Sequence, residues 1–324
     1  MTLRGTGSFV VVIVGTVCLG AFWSSEAQAQ VKLEFKFPEG KRLTYKTTAR
    51  TRQLLTFMNN MEKASVLRET KVWTQSIGKR RADSTLPIEE KVEFLRDEYT
   101  LPDGVKLTLD SSDSKLKVDN PELKFVNDIF KLESALAYAV VLDGQAKVKA
   151  IEGTEQLREK ASKLESPVAI EEFQSEIETA RLRTKFEQVI HIFPDAPART
   201  GEIWERTETL NINGMTFTIR KKYEYRGTEK KGDKTLEKLT YKALEVKYDQ
   251  SPKGKSPVTV VKSDLKVESS DGTMLFDRED GHTVSAVDRI RIKGNMTFSA
   301  AGVEQNGELD LNYDGNTQLQ STAK

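Results

Sequence analysis

Residues 210–219 have the sequence LNINGMTFTI, which predicts two antiparallel strands joined by a tight turn. Leu210 and Ile212 alternate with polar residues before Asn213-Gly214, and apolar residues alternate with threonine after it. A period of two places one set of side chains on one face of a strand. Asn-Gly is the pair that two-residue hairpin turns favour, because both residues tolerate positive φ. The segment therefore predicts an antiparallel β-hairpin.

The same pattern of alternation and turn residues extends along the chain on both sides of this hairpin. Pro87 argues against a central strand position over residues 86–95, because proline cannot donate a ladder hydrogen bond. Residues 315–324 are polar, and we expect them to form a flexible tail. The predicted strands before the hairpin are 31–37, 43–49, 54–58, 66–77 and 105–109. Those after it are 223–225, 236–248, 258–267, 274–276, 284–292, 296–300 and 307–313, with turns that include 271–272, 280–281 and 306–307.

The middle of the chain predicts helices. Asn120 is suited to cap a helix and Pro121 to begin it, so we expect a helix over residues 121–131. Residues 154–190 predict two helices, broken near Ser166-Pro167. Their apolar stripe consists of Leu157, Leu164, Ile170, Phe173 and Ile177.

The predicted order along the chain is strands, then a helical insert over residues 152–192, then more strands. This order predicts one mainly β domain of the α+β class, spanning residues 30–314. Strands and helices do not alternate along the chain as they do in proteins with a parallel sheet. We expect an antiparallel meander that forms a curved sheet or open barrel, with helices 121–131 and 154–190 packed against it.

The first 29 residues have the pattern of a bacterial signal peptide. Arg4 precedes an apolar run over residues 9–22, and Ala27-Gln28-Ala29 matches a cleavage site. The run holds about 14 residues, whereas a membrane-spanning helix needs about 20. We therefore expect a chain that begins at Gln30 after cleavage, is exported to the periplasm or beyond, and has no remaining membrane span.

Composition argues against several classes of partner and chemistry. The net charge of +1 offers no strong attraction to nucleic acid or to anionic lipid. The single cysteine, Cys18, lies in the segment expected to be removed. We therefore expect no disulfide and no thiol chemistry in the exported chain.

No residue pattern indicates a catalytic, metal or cofactor site. His191 and His282 are far apart in sequence, and we expect a helix-end histidine and an exposed turn histidine. Residues 276–281, FDREDG, place Phe276 where a calcium-binding loop of the EF-hand type needs an acid. Residues 254–256, GKS, lack the upstream glycine and the following helix of a phosphate-binding loop.

Aromatic residues of the predicted strands are the candidates for structural and cavity-lining roles. Trp73, Phe217 and Tyr223 are the candidate cavity-lining residues, because a curved sheet with one apolar face can enclose a ligand. Trp204 follows the helical insert where the chain returns to the sheet, and we expect it to be buried and to fix the insert to the sheet.

Three short motifs carry a resemblance to a family of secreted bacterial proteins that is common in planctomycetes. They are PDGVKLTLDS at 102–111, GEIW at 201–204 and FDREDG at 276–281. The resemblance covers most of the chain after the signal peptide and implies export and a β-rich fold. It implies no catalytic residues, because the family has no established function. The layout of the elements is also similar to curved-sheet periplasmic carriers of the lipoprotein-carrier type, at the level of architecture.

Three functions remain open from the sequence. The first is a non-enzymatic envelope protein that binds an apolar small molecule or a partner protein. The second is a structural or assembly protein of the envelope that holds no ligand. The third is a hydrolase that uses carboxylates alone. A cavity of about 300 Å³ or more would favour the first, and two facing carboxylates in a cleft would favour the third.

Overall fold

The computed structural model describes residues 30–57, 61–113, 118, 120, 123–164, 166–212, 215–249, 258–300 and 302–323. The proposed signal peptide, the Asn213-Gly214 turn and the GKS segment lie outside these ranges. The strands are β1 (Arg42–Phe57), β2 (Glu62–Ile77), β3 (Leu86–Thr100), β4 (Lys106–Asp110), β5 (Ala137–Leu142), β6 (Val148–Glu152), β7 (Ile203–Ile212), β8 (Met215–Lys231), β9 (Lys234–Tyr248), β10 (Val258–Asp277), β11 (His282–Ala300) and β12 (Val303–Ala323). The helices are α1 (Lys124–Ser134), α2 (Thr154–Ser162), α3 (Pro167–Glu176) and α4 (Thr179–Ile190).

The strands form one antiparallel, curved sheet, which confirms the predicted fold class. Its order is β6-β5-β3-β2-β1-β12-β11-β10-β9-β8-β7, with β4 paired to β3. Consecutive strands are mostly neighbours, as expected of a meander. The end strands β6 and β7 do not pair with each other in the described part of the chain, so the sheet is curved but not closed.

The sheet folds over itself at the junction of β9 and β10. These strands pair only where Gly272–Phe276 meets Glu237–Tyr241. Away from this junction, Phe217 of β8 and Val246 of β9 share a core cluster with Ile290 of β11 and Leu309 of β12. Two apolar faces of one sheet therefore cover each other.

Gly272 permits this junction because the ring of Tyr241 packs directly over it. The two residues are cross-strand partners, and a Cβ at position 272 would lie 2.0 Å from the ring. A side chain at this position would displace Tyr241, whose hydroxyl donates to the carbonyl of Val287 at 3.0 Å.

The helices pack mainly on the part of the sheet that β3 to β6 form, and α4 also contacts β7. Phe130 of α1 packs with Leu95 of β3 and Leu109 of β4. Phe186 of α4 joins a cluster with Ile88 of β3 and Val140 of β5. Helices α2 and α3 pack on α1 through Leu157, Phe173 and Leu132. Among the described residues, no helix is long and apolar enough to cross a membrane.

The helical insert contains three helices where the sequence predicts two. The break at Ser166-Pro167 is present: Ser166 Oγ accepts a hydrogen bond from the Ala169 amide at 3.2 Å, and Pro167 begins α3. A second break at Ile177 separates α3 from α4. Helix α1 begins at Lys124, and the Pro121 that was expected to begin it lies outside the described residues.

Two predictions at the amino-terminal side of the sheet were wrong. Residues 31–37 alternate in burial but form only one bridge, between Val31 and Ala198. Residues 86–95 lie in β3, a central strand between β2 and β5. Pro87 is tolerated there because it is the second residue of the strand, before pairing with β2 begins at Ile88.

The turns predicted at 271–272 and 306–307 were also wrong, because both pairs lie inside strands. Asp271-Gly272 lies within β10, and Gly307 pairs with both Met296 and Phe57. Residues 315–323, expected to be a flexible tail, extend β12 and pair with β1. Pairing with β1 along the segment, and with β11 up to Gln318, orders this polar segment without any apolar run.

Candidate functional site

A cavity of about 920 Å³ lies between the inner face of β1–β3 and helices α1, α3 and α4. Small-molecule sites typically occupy about 300–1,000 Å³. The cavity therefore has the volume of a ligand site, and it exceeds the threshold that favours ligand binding over a filled interior.

Aromatic and aliphatic side chains form most of the cavity wall. On the sheet side, Tyr45 and Trp73 stack with ring centroids 4.7 Å apart, and Trp73 Nε1 donates to Thr47 Oγ1 at 3.3 Å. On the helix side, Phe173 and Phe186 face the same space. The Trp73 ring is thereby held in one orientation while its apolar face borders the cavity.

Two exposed apolar residues border the cavity on its helical side. Phe125 of α1 is 39% exposed and Val189 of α4 is 55% exposed, and both line the cavity. A large apolar side chain beside an apolar cavity offers an incoming ligand a surface without polar groups to desolvate.

Of the three residues predicted to line a cavity, only Trp73 does so. Phe217 is fully buried against β11 and β12, and Tyr223 is 1% exposed in a cluster with Tyr225 and Phe276. Neither borders the cavity. Phe217 is covered because the sheet folds over onto β11 and β12, whereas Tyr223 is covered by a cluster that includes Leu33, Ile192 and Phe193.

Trp204 lies at the place where the insert meets the sheet. It is half-buried against a core cluster, and its ring stacks on that of Tyr223, its cross-strand partner, at 5.9 Å. Its Nε1 donates to the carbonyl of Ile192 at 2.8 Å, just beyond the end of α4. These contacts connect the end of the insert to β7 and β8.

Three carboxylates line the cavity near Trp73. Glu69 of β2 and Asp97 of β3 are direct cross-strand partners, and Glu133 projects from the last turn of α1. Asp97 is 2% exposed; its Oδ2 accepts from the Tyr99 hydroxyl at 3.1 Å, and its Oδ1 has no partner among the described residues.

Burial changes the acidity of two of these groups. Burial first, and then the charge of Glu69, raises the pKa of Asp97 to about 7. Burial raises the pKa of Glu133 to about 8, with Lys71 opposing and Glu69 and Asp97 contributing to the rise. Carboxyl groups with perturbed pKa values in an apolar cavity are typical of functional sites.

Sequence reasoning missed these acids, although β3 carries a signal for one of them. Leu95, Asp97 and Tyr99 lie on one face of the strand, so an acid occupies a position that the alternation assigns to the interior. Glu133 has no such signal, because its place at the cavity depends on how α1 packs on β3.

A second cluster joins Asp277, Asp280 and His282, whose ligand-type atoms all lie within 4.8 Å of one another. His282 was expected to be exposed in a turn, but it is 3% exposed, because β11 begins at this residue and pairs it with Asp277. Burial, and then Lys41, lowers its pKa.

Lysines already neutralise the two carboxylates of this cluster. Lys234 Nζ lies 2.6 Å from Asp277 and 3.2 Å from Asp280, and Lys41 Nζ lies 3.1 Å from Asp280. The hydrogen bond from Lys41 lowers the pKa of Asp280. We interpret the cluster as an ion-pair network that holds the β10–β11 turn.

The chain has weak structural similarity to three solved proteins. A structure of lipovitellin and its lipid–protein interactions has 10% identity and a TM-score of 0.43, and the match covers 89% of this chain and 26% of that chain. An outer membrane channel from Pseudomonas putida F1 has 7% identity, a TM-score of 0.22, and coverage of 89% and 98%. DynF from the dynemicin biosynthesis pathway of Micromonospora chersina has 8% identity, a TM-score of 0.17, and coverage of 89% and 85%. The chain spans about a quarter of the lipovitellin chain, and similarities this weak carry no functional argument.

No curated protein sequence matches the chain. A family profile described as Family of unknown function (DUF6263) matches residues 98–281. This region contains all three motifs noted in the sequence, at 102–111, 201–204 and 276–281. The match covers more than half of the chain, which therefore belongs to the DUF6263 family of unknown function.

Proposed function

We propose that the protein binds an apolar small molecule, without catalysis, in the cavity between β1–β3 and the helices. The observation that supports this proposal is a space of about 920 Å³ bordered by aromatic and aliphatic side chains. Burying apolar ligand surface there would contribute roughly 25 cal/mol per Å² before the costs of association are subtracted. We further propose that this binding takes place in the cell envelope, on the basis of residues 1–29.

A cavity-filling variant tests the proposal. Ala286 of β11 lines the cavity, so Ala286→Phe should place a ring in the ligand space. The neighbouring Ser285 has the opposite orientation in the strand, and Ser285→Phe is the matched control. Binding of the neutral fluorophore diphenylhexatriene would be measured for both variants.

We expect wild-type protein and Ser285→Phe to bind the fluorophore with similar affinity, and Ala286→Phe to bind at least ten-fold more weakly. Equal binding by all three proteins would place the fluorophore elsewhere and contradict the proposal. No binding by any of them would favour a structural envelope role without a ligand.

A further inference from the structure

The cavity wall contains a like-charge arrangement that the fold itself does not require. Glu69 and Asp97 are direct partners on adjacent antiparallel strands. Cβ atoms of such partners lie about 4.5–5.5 Å apart, and like charges at these positions are destabilising. Glu133 reaches the same space from α1, at the helix end where the backbone dipole disfavours an anion.

Positive charge inside the protein only partly balances these three acids. Lys71 lies two residues after Glu69 on the same face of β2 and interacts with both Asp97 and Glu133. Within the described part of the chain, Lys71 thus supplies one ammonium to a group of three carboxyl groups. By contrast, Glu176, elsewhere on the cavity wall, is paired with Arg181 at 2.8 Å and Lys185 at 2.9 Å.

A second, independent observation concerns the hydrogen bonds of the Asp97 carboxyl group. Its side chain is almost completely buried, one oxygen is satisfied by Tyr99, and Oδ1 has no partner among the described residues. A buried carboxylate oxygen without a partner is costly, and such groups in proteins normally meet a donor. Because Asp97 lines the cavity, the polar end of a ligand there would lie next to this carboxyl group.

We propose that the cavity binds an amphiphile whose polar end is an ammonium group, held among Glu69, Asp97 and Glu133. This inference rests on the proposed binding function and specifies its ligand class. A primary ammonium has three donors and no acceptor, which matches a site that offers carboxylate oxygens. Its alkyl or aryl part would lie against Trp73, Tyr45 and the apolar side chains of α3 and α4.

Three probes with the same chain test the head group: dodecylamine, dodecanol and dodecanoate, each below its micellar concentration. Their displacement of diphenylhexatriene from the full exported chain would be measured at low salt and pH 9. At this pH Asp97 and Glu133, whose pKa values are raised to about 7 and about 8, are ionised, and an alkyl ammonium keeps its charge. We expect dodecylamine to displace the fluorophore at a concentration at least ten-fold lower than dodecanol, and dodecanoate to be the weakest.

Substitution of the acids separates their role from that of the apolar wall. Asp97→Asn, Glu69→Gln and Glu133→Gln should each reduce the preference for amine over alcohol by about five-fold or more, while dodecanol binding is unchanged. The matched control is Glu98→Gln: Glu98 lies on the opposite face of β3, where it accepts from Arg96 at 2.9 Å. It should leave the preference unchanged.

The outcomes distinguish this inference from the function on which it rests. Equal displacement by amine and alcohol, or an amine preference that all three cavity variants retain, would overturn the ammonium site and leave apolar binding intact. Failure of all three probes and the fluorophore to bind would contradict the proposed function itself. Thermal melts of each variant identify any that fail to fold, and the conclusion then depends on the remaining ones.

Discussion

Asp97 occupies a position that the alternation of β3 assigns to the protein interior. Leu95 and Tyr99 flank it on the same face, and Glu69 lies opposite it on β2. Burial raises the pKa of Asp97 to about 7, far above its usual value near 4. A carboxyl group whose pKa rises on folding favours the folded state only while it is protonated.

Asp97→Asn should therefore flatten the dependence of stability on pH. The unfolded chain loses this proton near pH 4 and the folded chain retains it up to about pH 7, so the free energy of unfolding should decrease as pH rises through this interval. Since each pH unit of this interval corresponds to about 1.4 kcal/mol and the measurement begins at pH 4.5, the variant should remove a decrease of about 3 kcal/mol. Urea unfolding at pH 4.5 and pH 8 measures it.

Glu98→Gln is the control for this measurement, because its carboxylate lies on the opposite face of β3 beside Arg96. It should retain the wild-type decrease between the two pH values. If Asp97→Asn shows the same decrease as the wild type, the carboxyl group of Asp97 does not titrate as its burial indicates.

Trp204 connects three parts of the molecule through one side chain. Its ring stacks on Tyr223, its Nε1 donates to Ile192, and it lies on β7 beside β8. Trp204 follows the insert directly in the sequence, and its half-buried ring makes the contacts needed to fix the insert to the sheet. That role remains a prediction.

Trp204→Ala should reduce the free energy of unfolding by about 3 kcal/mol, the lower end for aromatic truncation in a core. Trp204→Phe keeps the ring contact and loses only the hydrogen bond to Ile192, so it should cost about 1 kcal/mol. Hydrogen exchange near residues 186–193 should increase in the alanine variant. An alanine variant that melts like the wild type, with unchanged exchange, would refute the fixing role.

The long strands at the carboxyl-terminal end differ most from the sequence prediction. Strands β10, β11 and β12 run through Asp271-Gly272, Gly294 and Asn306-Gly307 without turning. Glycine and asparagine predict turns locally, but here Gly272, Gly294 and Gly307 each have a strand partner on both sides, which holds them in the ladder. The pairing of β10 with β11 shifts register after Val260 and after Val267, and these shifts add curvature to the interior of β10.

The polar end of β12 should be essential for folding. Residues 315–323 pair with β1, and their first part pairs with β11, so a chain that ends at Asp314 exposes two strand edges in the middle of the sheet. We expect such a chain to lose the cooperative thermal transition measured by circular dichroism. A chain that ends at Gln320, which loses the exposed residues 321–323 together with Lys324, should melt within a few degrees of the full chain.

If the chain that ends at Asp314 melts like the full protein, residues 315–323 contribute no more than the flexible tail that composition predicts.

The helices also differ from the sequence prediction, but less than the strands do. Ser166-Pro167 marks a boundary by local chemistry, whereas the break at Ile177 has no proline or glycine beside it.

At the level of the whole molecule, one sheet creates two different interiors. Where β8 and β9 fold over β11 and β12, the side chains of the two faces pack together in one core cluster. Where β1–β3 face the helices, the inner surface remains open as the cavity. Both surfaces are rich in apolar residues, so their sequences do not distinguish the filled interior from the open one.

Export gives a prediction that concerns the whole chain. Protein recovered from the envelope fraction of its host should begin at Gln30, because Ala27 and Ala29 occupy the small-residue positions of a cleavage site. Amino-terminal sequencing measures this directly. A retained Met1, or a chain that begins at a lipid-modified Cys18, would contradict it.

The sequence alone determined the β-rich class, the antiparallel order of most strands, the helical insert and its boundary at Ser166, because alternation, turn residues and caps act over a few neighbouring residues. Only the tertiary structure decided that Phe217 and Tyr223 are covered while Trp73 borders a cavity. It also placed Glu133 beside Glu69 and Asp97. These outcomes depend on how the sheet folds over and where α1 packs. Contacts between residues distant in sequence control both, and no local pattern encodes them.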